Sequence, residues 1–249
     1  MNSYPFNYNY SATKNFYYTY ASMKPQVQTK PLLGTGIYTM SYIALILCIP
    51  YPKVNRWINN FWDDRFGSKY GYTYTWSVDL TKAVNFPTLI ELFTFYQLSS
   101  AGVSTRELIK VHEILANDHN TSYPFATKNI LEGLRTDGKK ILFEQTDGSI
   151  YSVDYAKQFK LEFVKDFFKN LDFDSDLLAV RYWPVGKGKS IVCDPHHQFG
   201  QPVIEGTNIQ SETLFRIYQA NEPVEFIAQL YELPIKMVEN AIEFHKNAA

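Results

Sequence analysis

Between residues 36 and 62, apolar side chains recur at helical spacing in two short runs, which a proline-containing break separates. The first run follows Thr39, whose hydroxyl group can cap a helix. Pro50 disfavours helix at the residue before it, and Pro52 is tolerated only at the start of the next helix. The second run predicts a helix from about residue 52 to residue 61. The expected buried positions of the two helices are Ile43, Leu47, Ile49, Val54, Trp57, Ile58 and Phe61.

The other side chains of the second helix are donors and acceptors of the kind that read base edges and hold phosphates. A helix-turn-helix that places its second helix in a major groove needs this layout. Residues 63–76 then alternate aromatic residues with glycines and short polar ones, which predicts a β-ribbon with a turn near residues 67–71, where a winged helix carries its wing. An ordinary helical hairpin followed by a solvated loop is the alternative. The candidate DNA-binding residues are Tyr51, Lys53, Asn55, Arg56, Asn59, Asn60, Arg65, Lys69 and Tyr70.

The predicted helix-turn-helix region carries only a small excess of positive charge. Residues 36–82 carry five basic and three acidic side chains, a net charge of +2. Because phosphate contacts dominate DNA affinity, one subunit is expected to bind weakly, and usable affinity is expected from a dimer on paired half-sites.

Beyond this region the pattern is mixed helix and strand. A helix is predicted from residue 85 to about residue 101, and Ser104 is expected to cap another that ends near residue 117. His112 and His119 in this helix are expected to be ordinary surface or capping residues. Two Asp-Gly turn signals flank predicted strands at 141–144 and 150–153, an amphipathic helix is predicted at 163–171, and residues 186–189 are interpreted as a linker.

The last sixty residues predict three short helices. Ser211 is expected to cap the first, which ends near residue 219; the second spans about 224–231 and the third about 235–245. The last two are spaced like a second helix-turn-helix, but residues 190–249 carry eight acidic and three basic side chains. A net charge of −5 argues against phosphate contact. Metal binding by the cluster Cys193, Asp194, His196 and His197 is disfavoured, because these residues are too close together for all to turn inward.

The composition of the chain limits the partners and the cellular location that we expect. The chain has 249 residues, of which 45% are hydrophobic, and a net charge of −1, so any nucleic-acid contact must come from a local patch. The two cysteines, Cys48 and Cys193, are expected to be buried free thiols. With no signal peptide and no apolar run long enough to span a bilayer, a soluble cytoplasmic protein without membrane contact is expected. Residues 1–30 form a tyrosine-rich arm that could adhere to the body of the chain, a sister subunit or a partner.

The sequence contains no recognisable arrangement of catalytic or cofactor-binding residues, so we expect that the protein is not an enzyme and binds no cofactor. The predicted class is mainly α with small β parts (α+β). The predicted divisions are the arm (1–30), a winged helix-turn-helix domain (31–120), a middle α+β segment (121–188) and a C-terminal helical module with a helix-turn-helix-like spacing (189–249).

Several separate motifs carry a family resemblance that begins near residue 31. They are residues 32–39 and 54–57 in the helix pair, 101–104 with Ile109, 123–127, 134–141, and the pattern Asp-Pro, Gly-x-Pro-Val-Ile-x-Gly-Thr-x-Ile between residues 194 and 209. The first of these resemble the DNA-binding domain of the large VapB-type antitoxins and of MerR-like regulators. The last resembles a small antitoxin-associated domain.

The resemblance implies an antitoxin that binds operator double-stranded DNA as a repressor of its own operon, as a dimer, and neutralises a PIN-domain ribonuclease toxin. The acidic C-terminal module would then serve dimerisation or toxin docking. The sequence does not indicate which residue would block the active site of the toxin. The alternatives are a stand-alone transcription regulator, an enzyme, and an interaction module whose helix pair is only structural.

Overall fold

The computed structural model describes residues 34–78, 80–136, 141–144, 150–152 and 168–248. Helices predominate in it and are joined by small antiparallel sheets, which confirms the predicted α+β class. The tyrosine-rich arm, both Asp-Gly turns and most of the helix predicted at 163–171 lie outside the described residues. Among the described helices, none combines the length and the apolar character that crossing a bilayer requires.

The predicted helix pair is present. After strand β1 (Tyr38–Thr39), helix α1 (Met40–Leu47) begins with the Thr39 side chain accepting a hydrogen bond from the backbone N–H of Tyr42 at 3.4 Å. Residues 48–50 form the turn, and Cys48 closes α1 in the left-handed conformation. Helix α2 (Tyr51–Trp57) follows, with a proline in its first turn as expected.

The predicted end of the second helix at residue 61 is wrong. The chain continues as a π-helical stretch (Ile58–Gly67) and a last turn, α3 (Ser68–Tyr70). The reason is burial, because Trp62 and Phe66 are completely inaccessible and extend the apolar stripe into the core. Gly67, which suggested a turn, is needed for close approach instead. A Cβ atom there would lie 2.9 Å from the carbonyl oxygen of Tyr72.

The β-ribbon predicted over residues 63–76 is therefore also wrong in position. The hairpin that follows the helix consists of β2 (Thr75–Val78) and β3 (Thr81–Val84). Together with β1 it forms a three-stranded antiparallel sheet in the order β1-β3-β2.

The next two helices match their predictions. Helix α4 (Phe86–Ser100) is capped by Asn85, and α5 (Thr105–Asp118) is capped by Ser104, whose hydroxyl accepts from the backbone N–H of Glu107 at 3.3 Å. Helix α4 is buried along most of its length and forms the centre of the main core, where α2, the π-helical stretch and α5 contact it.

Strands and short helices complete this body. Helix α6 (Lys128–Gly133) leads into a three-stranded antiparallel sheet of β4 (Leu134–Thr136), β5 (Ile141–Glu144) and β6 (Ile150–Ser152). Strands β5 and β6 match the two predicted strands, whereas α6 and β4 were not predicted. A second pair, β7 (Leu171–Phe173) and β8 (Ala179–Tyr182), packs its buried side chains into the main core. The linker predicted at 186–189 is a short 3-10 turn.

The C-terminal module has its own smaller core. A two-stranded pair, β9 (Ile191–Val192) and β10 (Val203–Ile204), precedes the three predicted helices, α7 (Ser211–Gln219), α8 (Val224–Leu230) and α9 (Ile235–Ala248). The module is joined to the N-terminal body by backbone and side-chain contacts. The N–H of Ile37 donates to the carbonyl oxygen of Phe199 at 2.8 Å, and the Tyr42 hydroxyl donates to Glu212 at 2.9 Å.

Candidate nucleic-acid interface

Three candidate DNA-binding side chains project from the second helix into solvent. Tyr51 begins α2 and is 46% exposed, Arg56 follows five residues later near the end of α2, and Asn60 lies four residues further on in the π-helical stretch. Within the part of the chain that the structure describes, none of the three has a hydrogen-bond or ion-pair partner. A phenol, a guanidinium group and a carboxamide are thus available to a ligand on one helix.

Lys53 is partly committed to the fold. Its ammonium nitrogen lies 4.8 Å from the ring centre of Trp57 and 5.0 Å from that of Tyr96 on α4. A cation over an aromatic face is attracted by the ring quadrupole, so Lys53 helps to hold α2 against α4.

Asn55 and Asn59 belong to a polar network that ties the helix to the hairpin. The Asn59 amide donates to the backbone and side-chain oxygens of Asn55, both at 2.9 Å. Lys82 on β3 donates to Asn59 at 2.5 Å and to Asp63 at 2.6 Å, and Asp63 accepts from Thr75 on β2 at 2.9 Å. These amides therefore orient the hairpin beside the helix.

Arg65 and Lys69 were expected to face phosphates from a wing, but they lie on the helix and share one acid from α5. Glu113 accepts from Arg65 Nε at 2.5 Å and from Lys69 Nζ at 2.6 Å. Partial burial alone would raise the pKa of Glu113, but the two cations outweigh it and lower that pKa. Burial and the nearby Glu113 charge raise the pKa of Tyr70 to about 12, so Tyr70 keeps its proton and donates weakly to the Glu113 carbonyl oxygen at 3.4 Å.

A buried, hydrogen-bonded Glu–His pair under this surface was not predicted from the sequence. His112 is wholly inaccessible rather than on the surface, and its Nε2 lies 2.6 Å from Glu91 Oε2 on α4. The other Glu91 oxygen accepts from the backbone N–H of Phe125 at 2.6 Å, and the His112 ring stacks on Phe66 at 4.0 Å. The sequence feature that could have indicated this buried pair is a glutamate inside the otherwise apolar run 89–93.

Asp194 organises the loop between β9 and β10. It accepts from Arg181 Nε at 2.9 Å and from the backbone N–H of His196 at 2.9 Å, and His197 Nδ1 lies 3.2 Å from it. Burial alone would raise the pKa of Asp194, but these donors lower it. The loop borders an open cavity of about 440 Å³, which Trp183 also lines. No cluster of three or more potential metal ligands occurs among the described residues.

Two further expectations need correction in the same region. Cys193 is buried and free, but Cys48 is exposed because it occupies the C-cap of α1. Ser211 does not cap α7 but is its first residue. Its hydroxyl lies 3.1 Å from the carbonyl oxygen of Pro202 and 3.0 Å from Nε2 of the buried His245. His119, in contrast, is the C-cap of α5, as expected.

Known proteins resemble this chain in its C-terminal module and in its overall fold. Residues 191–245 match the family described as "Protein of unknown function (DUF433)". No protein of curated function matches the chain. The crystal structure of Rv2018 from Mycobacterium tuberculosis is similar in fold, with a TM-score of 0.60 and 16% sequence identity over 82% of this chain and 96% of that one. At this identity, the likeness concerns the fold alone.

Proposed function

We propose that the chain is a DNA-binding antitoxin, which represses its own operon through the second helix and neutralises a PIN-domain ribonuclease. The observation that carries the DNA-binding part is the exposure of Arg56 and Asn60 on the second of two helices joined by a three-residue turn. The family resemblance of residues 32–39, 54–57 and 194–209 supplies the toxin partner.

The chemistry of the two side chains suits base and phosphate contact. A guanidinium group can donate two parallel hydrogen bonds to guanine or to a phosphate, and a carboxamide can pair with both the donor and the acceptor edge of adenine. The hairpin β2–β3 stands beside this helix, held by Lys82 and Asp63, where a winged helix carries its wing. This arrangement supports the proposal that α2 enters the major groove.

Few cations remain for phosphate contact, because Lys53, Arg65, Lys69 and Lys82 all contact the protein itself. Affinity of one copy for DNA is therefore expected to be low, and paired half-sites occupied by a dimer would raise it.

The test is a gel-shift titration on the DNA upstream of the gene with Arg56→Glu and Asn60→Ala. Loss of a base or phosphate contact is worth about 1–3 kcal/mol, so each variant should bind about 5- to 150-fold more weakly. Arg56→Glu should also reduce the slope of log affinity against log salt concentration by about 1. The matched control is Arg216→Glu on α7, a 73% exposed arginine in the acidic module. Equal affinity of wild type and Arg56→Glu would refute the DNA-reading role of α2.

The partner is tested by co-expression with the neighbouring reading frame. A PIN-domain protein that co-purifies with the chain and loses its ribonuclease activity in the complex supports the antitoxin assignment. A salt-sensitive DNA shift without such a partner favours the alternative, a stand-alone regulator with the same helix-turn-helix.

A further inference from the structure

Helix α8 exposes apolar side chains where a surface helix normally carries polar ones. Only Ile227 and Ala228 of its seven residues are buried, whereas Phe226 is 46% exposed and Leu230 is 55% exposed. These two are four residues apart and so lie on the same side of the helix. Ile235, the first residue of α9, is 46% exposed just after the intervening turn. We call Phe226, Leu230 and Ile235 the α8 patch.

The α8 patch is held in a fixed position by the core beneath it. Ile227 packs into the C-terminal core with Leu214, Val238 and Ile242. The N–H of Leu233 donates to the carbonyl oxygen of Ala228 at 2.9 Å, which fixes the turn between α8 and α9. A pre-positioned apolar surface loses little conformational freedom when a partner covers it, which favours binding.

The rim of the patch is acidic. The neighbouring exposed carboxylates are those of Glu222, Glu225, Glu232 and Glu239. Lys236 is the exposed base on this rim, and its ammonium group lies 3.1 Å from Glu239, so its charge is already compensated. An apolar centre with a charged rim is the usual anatomy of a protein interface, here with a negative rim.

We propose that the α8 patch is the docking surface for the ribonuclease partner, which meets it with apolar side chains set among lysines and arginines. This inference rests on the proposed function, because it takes the partner from there. It deepens that function by separating the two activities, with DNA read by α2 and the toxin held by α8 and the start of α9.

Charge decides between this partner and the other possible occupants. In a two-fold contact between copies of this chain, the same surface faces itself, so four glutamates would meet four glutamates at the rim. DNA is excluded from the patch for the same reason, since phosphates would face these carboxylates. A basic protein surface satisfies both the apolar centre and the rim.

The experiment uses the full chain and the PIN-domain protein encoded beside it. Leu230→Glu and Phe226→Ala remove central apolar contacts, and each should weaken the complex about 30-fold or more in isothermal titration. Glu222→Lys combined with Glu232→Lys should weaken it further as salt is lowered, because opposite charges at the rim become like charges. The control is Ile114→Glu on α5, which places the same change at a 36% exposed apolar position outside the patch. Gel shifts with promoter DNA report whether each variant remains folded and competent.

The outcomes are distinguishable from failure of the proposed function. Loss of toxin binding in Leu230→Glu, with DNA binding retained and Ile114→Glu normal, supports the inference. If wild type and Leu230→Glu bind the toxin equally, the inference is overturned and the antitoxin assignment stands. If wild type binds no toxin, both are overturned. If light scattering shows a wild-type dimer that Leu230→Glu converts to a monomer while toxin binding persists, the patch holds a second copy and the inference is overturned.

Discussion

The buried pair of Glu91 and His112 offers a sharp test of what holds the N-terminal body together. Both side chains are wholly inaccessible, and they connect the central helix α4 to α5. One Glu91 oxygen accepts from the His112 ring and the other from the backbone N–H of Phe125, each at 2.6 Å. The carboxylate therefore satisfies two buried donors at once, and its removal leaves both without an acceptor.

The size of the effect follows from which donor loses its partner. In Glu91→Gln, the amide oxygen can still accept from Phe125, but the amide NH₂ group then faces Nε2 of His112. That nitrogen must become an acceptor, which moves the ring proton to Nδ1, a buried atom with no partner among the described residues. An unsatisfied buried donor costs about 1–3 kcal/mol. Glu91→Ala removes both bonds and leaves a cavity, so we expect a loss of about 3–5 kcal/mol.

Urea denaturation followed by tryptophan fluorescence measures both losses, since Trp62 lies 6.4 Å from the His112 ring. With a slope of about 2 kcal/mol per molar urea, a loss of about 2 kcal/mol lowers the midpoint by about 1 M. The matched control is Glu113→Gln. Its partners Arg65 and Lys69 are 53% and 42% exposed, so this change should cost less than about 1 kcal/mol. Equal midpoints for Glu91→Gln and Glu113→Gln would refute the reasoning.

Two further predictions concern the C-terminal module and its junction with the body. Burial lowers the pKa of His245 below its ordinary value, so the unfolded chain binds a proton more readily than the folded one. Stability should therefore fall as pH drops below about 6.5, and melting temperatures between pH 5 and pH 8 should show a smaller decline in His245→Asn than in wild type. Gly200→Ala should lower the melting temperature markedly, because φ there is +86° and the added methyl group would overlap the Tyr38 hydroxyl. Gly206→Ala, which has a similar φ of +76° but open space around it, is the control, and equal shifts in the two variants would contradict the role of the Tyr38 contact.

The parts of the fold that the sequence predicts well are those with local causes. The start of α1 at Thr39, the break at Pro50 and the cap of α5 at Ser104 each depend on residues within four positions of one another. The three C-terminal helices were likewise predictable from prolines and apolar spacing. Such signals act before tertiary contacts form, so a single sequence displays them.

The structural features that were predicted wrongly depend on contacts between residues far apart in the sequence. Glycines at 67 and 71 suggested a turn, but the burial of Trp62 and Phe66 against α4 and α5 keeps residues 58–70 helical. The partner of Arg65 lies 48 positions away at Glu113, and no local spacing indicates that contact. A π-helical stretch is also rare enough that hydrophobic periodicity gives no expectation of it.

In the candidate interface, the same types of polar side chain either stabilise the fold or remain available to bind DNA. Nine side chains between Tyr51 and Tyr70 have the chemistry that DNA contact needs, yet six of them contact other parts of the protein. Five of the six are held by neighbours on α4, α5 and β3, and Asn55 accepts from Asn59 within the same helix, so these side chains already serve the fold. Arg56, Asn60 and Tyr51 remain, and on the proposed function these three must carry recognition. With so few available contacts, one subunit would distinguish its DNA site poorly from other DNA sequences. This is the physical reason to expect that two subunits bind the DNA together.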